Sequence, residues 1–236
     1  MKILVLSCDK YADLFEPFHY CMERYWPNHP EIIYSMETIE NHYYKTICKN
    51  YPNNQWTKRI YDTIKDWEDE YIITLCDDVF IRRPVNQERL NYLYEVVKGL
   101  DKFCSLTFIS ESKNHPNLIL QPLDNFINVG LKLRDSWKNS VNATLWKREN
   151  LMKALTGTKG KDVNIWEFEW DTDRFYDFKY YSSMNADWPI NWGREGGKAH
   201  IAVQKGMWTQ ECVDFFNKEG FEIDFSKRGI IRGDYW

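Results

Sequence analysis

The first half of the chain alternates short apolar runs with stretches whose apolar residues recur at helical spacing. Lys2–Ser7 is a buried-type strand run that turns polar at Ser7-Cys8-Asp9-Lys10. A helix is expected from near Asp13, with Pro17 in its first turn, towards Trp26-Pro27. Glu31–Met36 reads as a second strand. Trp56, Ile60, Ile64 and Trp67 recur at spacings of four, four and three, which is one face of a helix. Tyr71-Ile72-Ile73-Thr74-Leu75-Cys76 is the strongest strand run, and it ends at Asp77-Asp78. Leu90, Leu93, Tyr94 and Val97 mark another helix, and Lys102–Phe108 returns as a strand.

From about residue 110 the pattern loosens. Phe126–Leu133 and Ala199–Val203 read as strands, Lys147–Leu155 and Thr209–Asn217 as helices. Strands alternating with helices predict an α/β fold, its mostly parallel central sheet flanked by helices. No internal repeat, low-complexity tract or Gly/Ser linker divides the 236 residues, so a single domain over 1–236 is the simplest account.

Charged residues at 28% and hydrophobic ones at 43% describe a folded globular chain and exclude a disordered one. The net charge of −4 argues against a surface built mainly for phosphate backbones. No segment reaches the ~18 apolar residues of a membrane span. The opening run Ile3-Leu4-Val5-Leu6 falls short of a signal-peptide core of ~7–15 residues. The expected location is cytoplasmic, with peripheral membrane attachment left open. Six cysteines at 8, 21, 48, 76, 104 and 212 form no C-x-x-C pair, which favours reduced thiols over a disulfide or zinc framework. Asn142-Ala143-Thr144 matches a glycosylation sequon, a pattern that recurs by chance. Aromatic content is high, 17% with 11 Trp and 15 Tyr. Such rings suit sugar faces and bases, although an aromatic core accounts for most of them.

In open α/β sheets ligands bind beyond the carboxyl ends of the strands. Two strand ends there carry acids: Asp9 after the first strand and Asp77-Asp78 after the strongest. Adjacent carboxylates repel, and a hard cation such as Mg²⁺ or Mn²⁺ relieves the repulsion. The pair equally suits a plain strand terminus that caps a turn, and spacing alone leaves the two readings level. No G-x-G-x-x-G follows the first strand, so a dinucleotide-binding site loses ground, and no G-x-x-x-x-G-K-[S/T] occurs, which removes the P-loop option.

YIITLCDDVF at Tyr71–Phe80 resembles the apolar strand and acidic motif of GT-A glycosyltransferases, in particular a bacterial and phage group from polysaccharide loci. The helix start Gln55–Arg59, the block Ser140–Glu169 with SVNATLWKRENLMKAL and WEFE, and the tail AHIAVQKGMW at Ala199–Trp208 add to the likeness. The acidic motif is Cys76-Asp77-Asp78 where the family more often has Asp-x-Asp. The resemblance implies a GT-A-like, Rossmann-like domain with a nucleotide-binding half at 1–108 and an acceptor-binding half at 109–236. It implies a nucleotide-sugar donor, a glycan acceptor and Mn²⁺ or Mg²⁺ as cofactor.

By the same resemblance Asp78 coordinates the metal, Asp77 shares it or contacts the ribose, and His200 is a candidate third ligand. Asp9, Lys10, Tyr11, Trp56, Arg59 and Lys205 are candidates for the nucleotide sugar. In the W-E-F-E cluster Trp166 and Glu167 are candidates for the acceptor, and Glu169 for the general base that takes the acceptor's proton. Two other readings compete. One changes the acceptor to a hydroxylated DNA base, approached by Lys147, Arg148, Lys153, Lys159, Lys161 and the tail Lys227, Arg228 and Arg232. The other is a non-catalytic carbohydrate-binding protein with aromatic platforms.

Overall fold

β1 (Lys2–Leu6) and β4 (Tyr71–Cys76) lie side by side and parallel, with Leu6 opposite Cys76. Their residues alternate between two apolar layers. Ile3, Val5, Tyr71, Ile73 and Leu75 enter one, while Leu4, Leu6 and Ile72 enter the other. Burial on both faces explains why neither run alternates with polar residues. Each side chain so buried stabilises the fold by about 1.5–3 kcal/mol. The computed structural model describes residues 1–108, 118–122, 128–132, 139–157, 159–170, 177–183, 189–190, 192 and 201–232, with backbone alone at 118–122, 128–132 and 182–183.

The sheet adds β2 (Ile32–Met36), β3 (Lys45–Cys48), β5 (Phe103–Thr107), β6 (Leu118–Pro122), β7 (Asn128–Lys132), β8 (Thr144–Lys147) and β9 (Lys179–Ser183). Its order is β3-β2-β1-β4-β8-β5-β9-β7-β6. Only β7 and β8 run against the other strands, so the sheet is mostly parallel, as the alternating pattern requires. Helices cover both faces. α1 (Phe15–Tyr25), α3 (Gln87–Lys98) and α6 (Gln210–Glu219) send Phe18, Leu90 and Phe216 into the first layer. α2 (Trp56–Ile64), α4 (Arg148–Thr156) and α5 (Ile165–Trp170) send Ile60, Leu151 and Phe168 into the second. This is an α/β arrangement with a mostly parallel sheet between two helical layers.

A small sheet of β10 (Val203–Gln204), β11 (Met207–Thr209) and β12 (Ile230–Ile231) stands apart. Parallel pairing of β12 with β11 carries the late chain back towards the end of β4. Several strands differ from the sequence pattern. β8 is a four-residue run directly before α4, too short to show a period, and β3 is a short edge strand. β6 and β9 also had no clear signal. Of the expected 126–133 strand, β7 occupies Asn128–Lys132, and 126, 127 and 133 lie outside the described residues. β10 begins only at Val203, while Ile201 bridges to Val79. α2 stops at Ile64, so Trp67 follows the helix. Among the described residues no helix is long and apolar enough to cross a membrane.

Candidate active site

Because Leu6 pairs with Cys76, the polar residues that follow β1 and β4 emerge as neighbours at one edge of the sheet. The Ser7 hydroxyl donates to Asp77 Oδ2. Asp77 is only 1% exposed, whereas Asp78 is half-buried. Burial, and next the charge of Asp78, push the Asp77 carboxyl well above the usual carboxylate range, against the Ser7 hydrogen bond and the charge of Arg228. Burial lifts Asp78 to about 6, opposed by its own N–H and by Arg228. Two adjacent acids are therefore held where their ionisation is costly.

The cation facing them arrives from far along the chain. Arg228 Nε donates to Asp13 Oδ2 at 2.7 Å, and Nη2 donates to Asp13 Oδ1 and the Lys10 carbonyl. The guanidinium carbon lies 4.8 Å from the centre of the Tyr11 ring. Burial raises the pKa of Tyr11, and the charges of Asp78, Cys8 and Asp77 raise it further, which puts this phenol beside the acid pair. Asp77, Asp78, Tyr11 and Arg228 thus form one electrostatic unit.

A second network shapes the chain after β1. Arg59, 4% exposed, donates from Nη2 to the Ser7 carbonyl at 2.8 Å and pairs through Nη1 with Glu37 at 3.4 Å. Glu37 Oε2 accepts from the Asp9 N–H at 2.9 Å. Asp9 in turn accepts from the N–H groups of Thr38 and Ile39, both at 3.0 Å, and from the Thr38 hydroxyl. Burial opposes ionisation of Asp9, but these bonds and Arg59 outweigh it and hold the carboxyl below its usual range. Asp9 and Arg59 brace the loop from beneath.

The third group hangs on a tight turn. Ala143 takes φ of 47°, a left-handed value that a non-glycine residue pays for only when its surroundings fix it. The Asn142 side chain accepts from the Cys76 N–H at 3.3 Å, so the sequon asparagine ties this turn to the end of β4. Val141 N–H donates to Glu169 Oε1 at 3.1 Å, and Asn139 Nδ2 donates to the Phe168 carbonyl at 3.1 Å. Glu169 is 9% exposed, and its charge reaches Cys76 together with those of Asp78 and Asp77. α5 is anchored at its start by reciprocal bonds between Thr57 and Val163, N–H to carbonyl at 3.1 Å and N–H to hydroxyl at 3.0 Å.

The remaining candidates scatter. Glu167 is exposed and closes a reciprocal cap with Asn164, at 3.1 and 2.9 Å. Trp166 stands 66% exposed, as does Trp170 one turn later at 60%. Trp56 lies in the core, its ring 5.4 Å from Phe168. Lys10 is exposed and contributes its carbonyl. Lys205 sits on the exposed tip of the β10–β11 hairpin with φ of 51°, followed by Gly206 at 81°. That is the two-residue turn such hairpins favour. The Ala202 N–H, at the foot of this hairpin, bonds the Asp78 carbonyl at 2.6 Å. His200 falls at 193–200, outside the described residues. The residue that sequence reasoning missed as a site component is Arg228, which it grouped with a basic tail.

No protein-family model and no curated protein matches this chain. Solved structures similar in outline include the bifunctional IspDF from Campylobacter jejuni, 11% identical with a TM-score of 0.45 over 85% of this chain and 52% of that one. An active-site mutant of LgtC is 13% identical with a TM-score of 0.43, covering 78% and 72%. UDP-glucose pyrophosphorylase complexed with UDP-glucose is 9% identical with a TM-score of 0.43, covering 78% and 89%. The chain spans about half the length of IspDF. The likeness is one of outline, and the chemistry rests on the residues described above.

Proposed function

We propose that this protein is a metal-dependent glycosyltransferase that moves a sugar from a nucleotide-sugar donor to a glycan acceptor. The observation that carries the reading is the Asp77-Asp78 pair, two adjacent acids at a strand end whose ionisation burial disfavours, with Arg228 facing them. Such a pair lowers stability unless a cation joins it.

The donor set suits a hard ion. Asp78 and Asp77 would hold Mg²⁺ or Mn²⁺ through carboxylate oxygens, with donor phosphates and water completing the shell. Among the described residues no group of three His, Cys, Asp or Glu surrounds a common point. When bound, the ion would neutralise charge developing on the leaving diphosphate.

The protein's own groups supply the rest. Arg228, fixed by Asp13 and Tyr11, is a second cation for the diphosphate. Glu169 accepts the proton of the acceptor hydroxyl as that oxygen bonds to the anomeric carbon and the bond from that carbon to the phosphate oxygen breaks. A single displacement of this kind inverts the anomeric configuration. Trp166 and Trp170 lie one turn apart on the helix that carries Glu169 and would offer apolar faces to the acceptor sugars.

Three of the basic residues that the DNA-base reading would use have partners of their own. Lys153 pairs with Glu149 at 2.6 Å, Lys147 lies 3.9 Å from Glu70, and Arg148 donates to the Asp69 carbonyl at 2.8 Å. The binding-protein reading leaves the buried acids without a purpose.

The test is a panel of nucleotide sugars screened for thermal stabilisation and hydrolysis with and without Mn²⁺. Ion-dependent stabilisation by one donor, absent in Asp78→Ala, is the expected result. Indifference to every donor in both conditions would count against the reading.

A further inference from the structure

β8 begins at Thr144, opposite Thr74, so the last two residues of β4 extend beyond it. The Cys76 N–H therefore points to where the neighbouring strand has turned away, and a backbone donor there needs another acceptor. The Asn142 side chain supplies it at 3.3 Å. Val141, one residue earlier, gives its N–H to Glu169 Oε1 at 3.1 Å. Two adjacent residues of one turn thus hold the strand end that leads into Asp77-Asp78 and the carboxylate carried by α5.

The turn is pinned from every side. Ala143 is fully buried, and its carbonyl accepts from the Phe108 N–H at 2.8 Å. The Thr74 hydroxyl donates to the Val141 carbonyl and accepts from Trp146 Nε1 at 3.0 Å. Thr144 Oγ1 donates to the Ser140 carbonyl at 2.9 Å, and buried Asn139 reaches the Phe168 carbonyl. Holding alanine at a left-handed φ costs about 1–3 kcal/mol, and such strain gathers where geometry serves function. A turn needed for closure alone could have glycine at 143 without that cost. Burial, then the charges of Asp78, Glu169 and Asp77, push the Cys76 thiol up, which puts all three acids around one side chain.

We infer that Asn142 is a positioning residue: together with the Ala143 turn it fixes Glu169 relative to the Asp77-Asp78 pair, so that the proton acceptor and the diphosphate end of the site address one anomeric carbon. This role rests on the glycosyl-transfer reading above and deepens it. Its effect passes through the end of β4 on one side and through Val141 to Glu169 on the other. Misplacing a reacting group by ~1 Å costs about 10²-fold in rate.

The test is a double-mutant cycle on the full chain, Asn142→Ala with Glu169→Gln. It is read by Mn²⁺-dependent hydrolysis of UDP-, GDP-, dTDP- and CMP-sugars, using the donor split fastest. Water is then the acceptor: its oxygen bonds to the anomeric carbon, its proton passes to Glu169, and the nucleotide leaves with the electron pair. Asn142→Ala alone should lower kcat by about 10²-fold with donor KM within about twofold. In the Glu169→Gln background the same change should cost less than about threefold, because the group it places no longer takes a proton. Mn²⁺ affinity, followed by paramagnetic resonance of the free ion, should not change. Should Asn142→Ala not fold, Asn142→Ser, whose hydroxyl falls short of the Cys76 N–H, takes its place. Losses that simply multiply in the double variant overturn the inference, as does a fall in Mn²⁺ affinity that matches the fall in kcat. If wild type splits no donor in the panel, glycosyl transfer falls and this role falls with it, an outcome distinct from independent losses in an active enzyme.

Discussion

Arg228 lays Nε and Nη2 on the two carboxylate oxygens of Asp13, 215 residues earlier, while its guanidinium covers the Tyr11 ring. The fork explains why this cation stays beside Asp77 and Asp78 rather than turning to solvent. Arg228→Ala should lower stability by about 1–3 kcal/mol, since Asp13 loses a charged partner. It should also weaken nucleotide-sugar binding by about tenfold or more. Arg228→Lys restores the charge without the planar fork and should recover only part of either. Chemical denaturation and donor titration read both, and unchanged donor affinity in Arg228→Ala removes this residue from the site.

Asp77 sets a pH dependence whose sign is fixed by its raised pKa. A carboxyl that holds its proton more tightly when folded contributes stability below its unfolded pKa of about 3.9. That contribution is lost as pH rises through the folded value. Asp77→Asn keeps an acceptor for Ser7 and stays neutral throughout. Its melting temperature at pH 8 should exceed wild type by about 2–4 °C for each kcal/mol relieved, and the gap should close in mild acid. Ion-dependent turnover should vanish in the same variant. Calorimetry across pH decides, and a variant less stable than wild type at pH 8 would contradict the assignment.

Asp78 titrates near 6, so protons compete with a divalent ion just below neutrality. The apparent affinity for Mn²⁺ should fall by about tenfold per pH unit below that point. Asp78→Ala should abolish Mn²⁺-dependent activity and leave the circular dichroism spectrum unchanged. Full turnover in the variant, with Mn²⁺ still required, would exclude Asp78 as a ligand.

Glu169 and Glu167 should separate sharply. Glu169→Gln removes proton acceptance at nearly constant shape, so turnover should drop by about 10²–10⁴-fold with donor binding intact. Glu167→Gln touches a helix cap and should cost at most ~1 kcal/mol of stability, with turnover close to wild type. Kinetics with the true acceptor test the pair. A larger loss in Glu167→Gln reverses the roles, and a retained anomeric configuration in the product rules out the general-base role altogether.

Trp166→Ala and Trp170→Ala remove exposed rings and should leave stability within about 0.5 kcal/mol of wild type. Acceptor KM should rise while donor affinity holds. If both variants use the acceptor normally, the rings serve another surface.

The strand-end position of Asp77 and Asp78 was legible in the sequence because the apolar run Tyr71–Cys76 points straight at them, and the parallel core followed from local pattern. Arg228 was not legible. Its partner lies 215 residues away, and nothing near Asp13 announces the bond. Trp56 misled for the opposite reason: its helical spacing fitted a buried face as well as a ligand contact, and packing against Phe168 chose burial. Arg59 stood on the polar side of a helix by spacing, yet the carbonyl of Ser7 and the carboxylate of Glu37 draw it inside. β8 escaped because four residues carry no period.

The long separation of Asp13 and Arg228 also orders events during translation. At ~5–20 residues per second, about 10–40 s pass between the emergence of the two residues from the ribosome. From the emergence of Asp78 onward, 150 residues before Arg228, the acid pair exists without the cation that faces it. A nascent chain can begin to form its parallel core early, yet Arg228 meets Asp13 only once it has emerged and β12 has docked on β11. Chains that stall before Arg228 would carry the acid pair but not the cation that faces it.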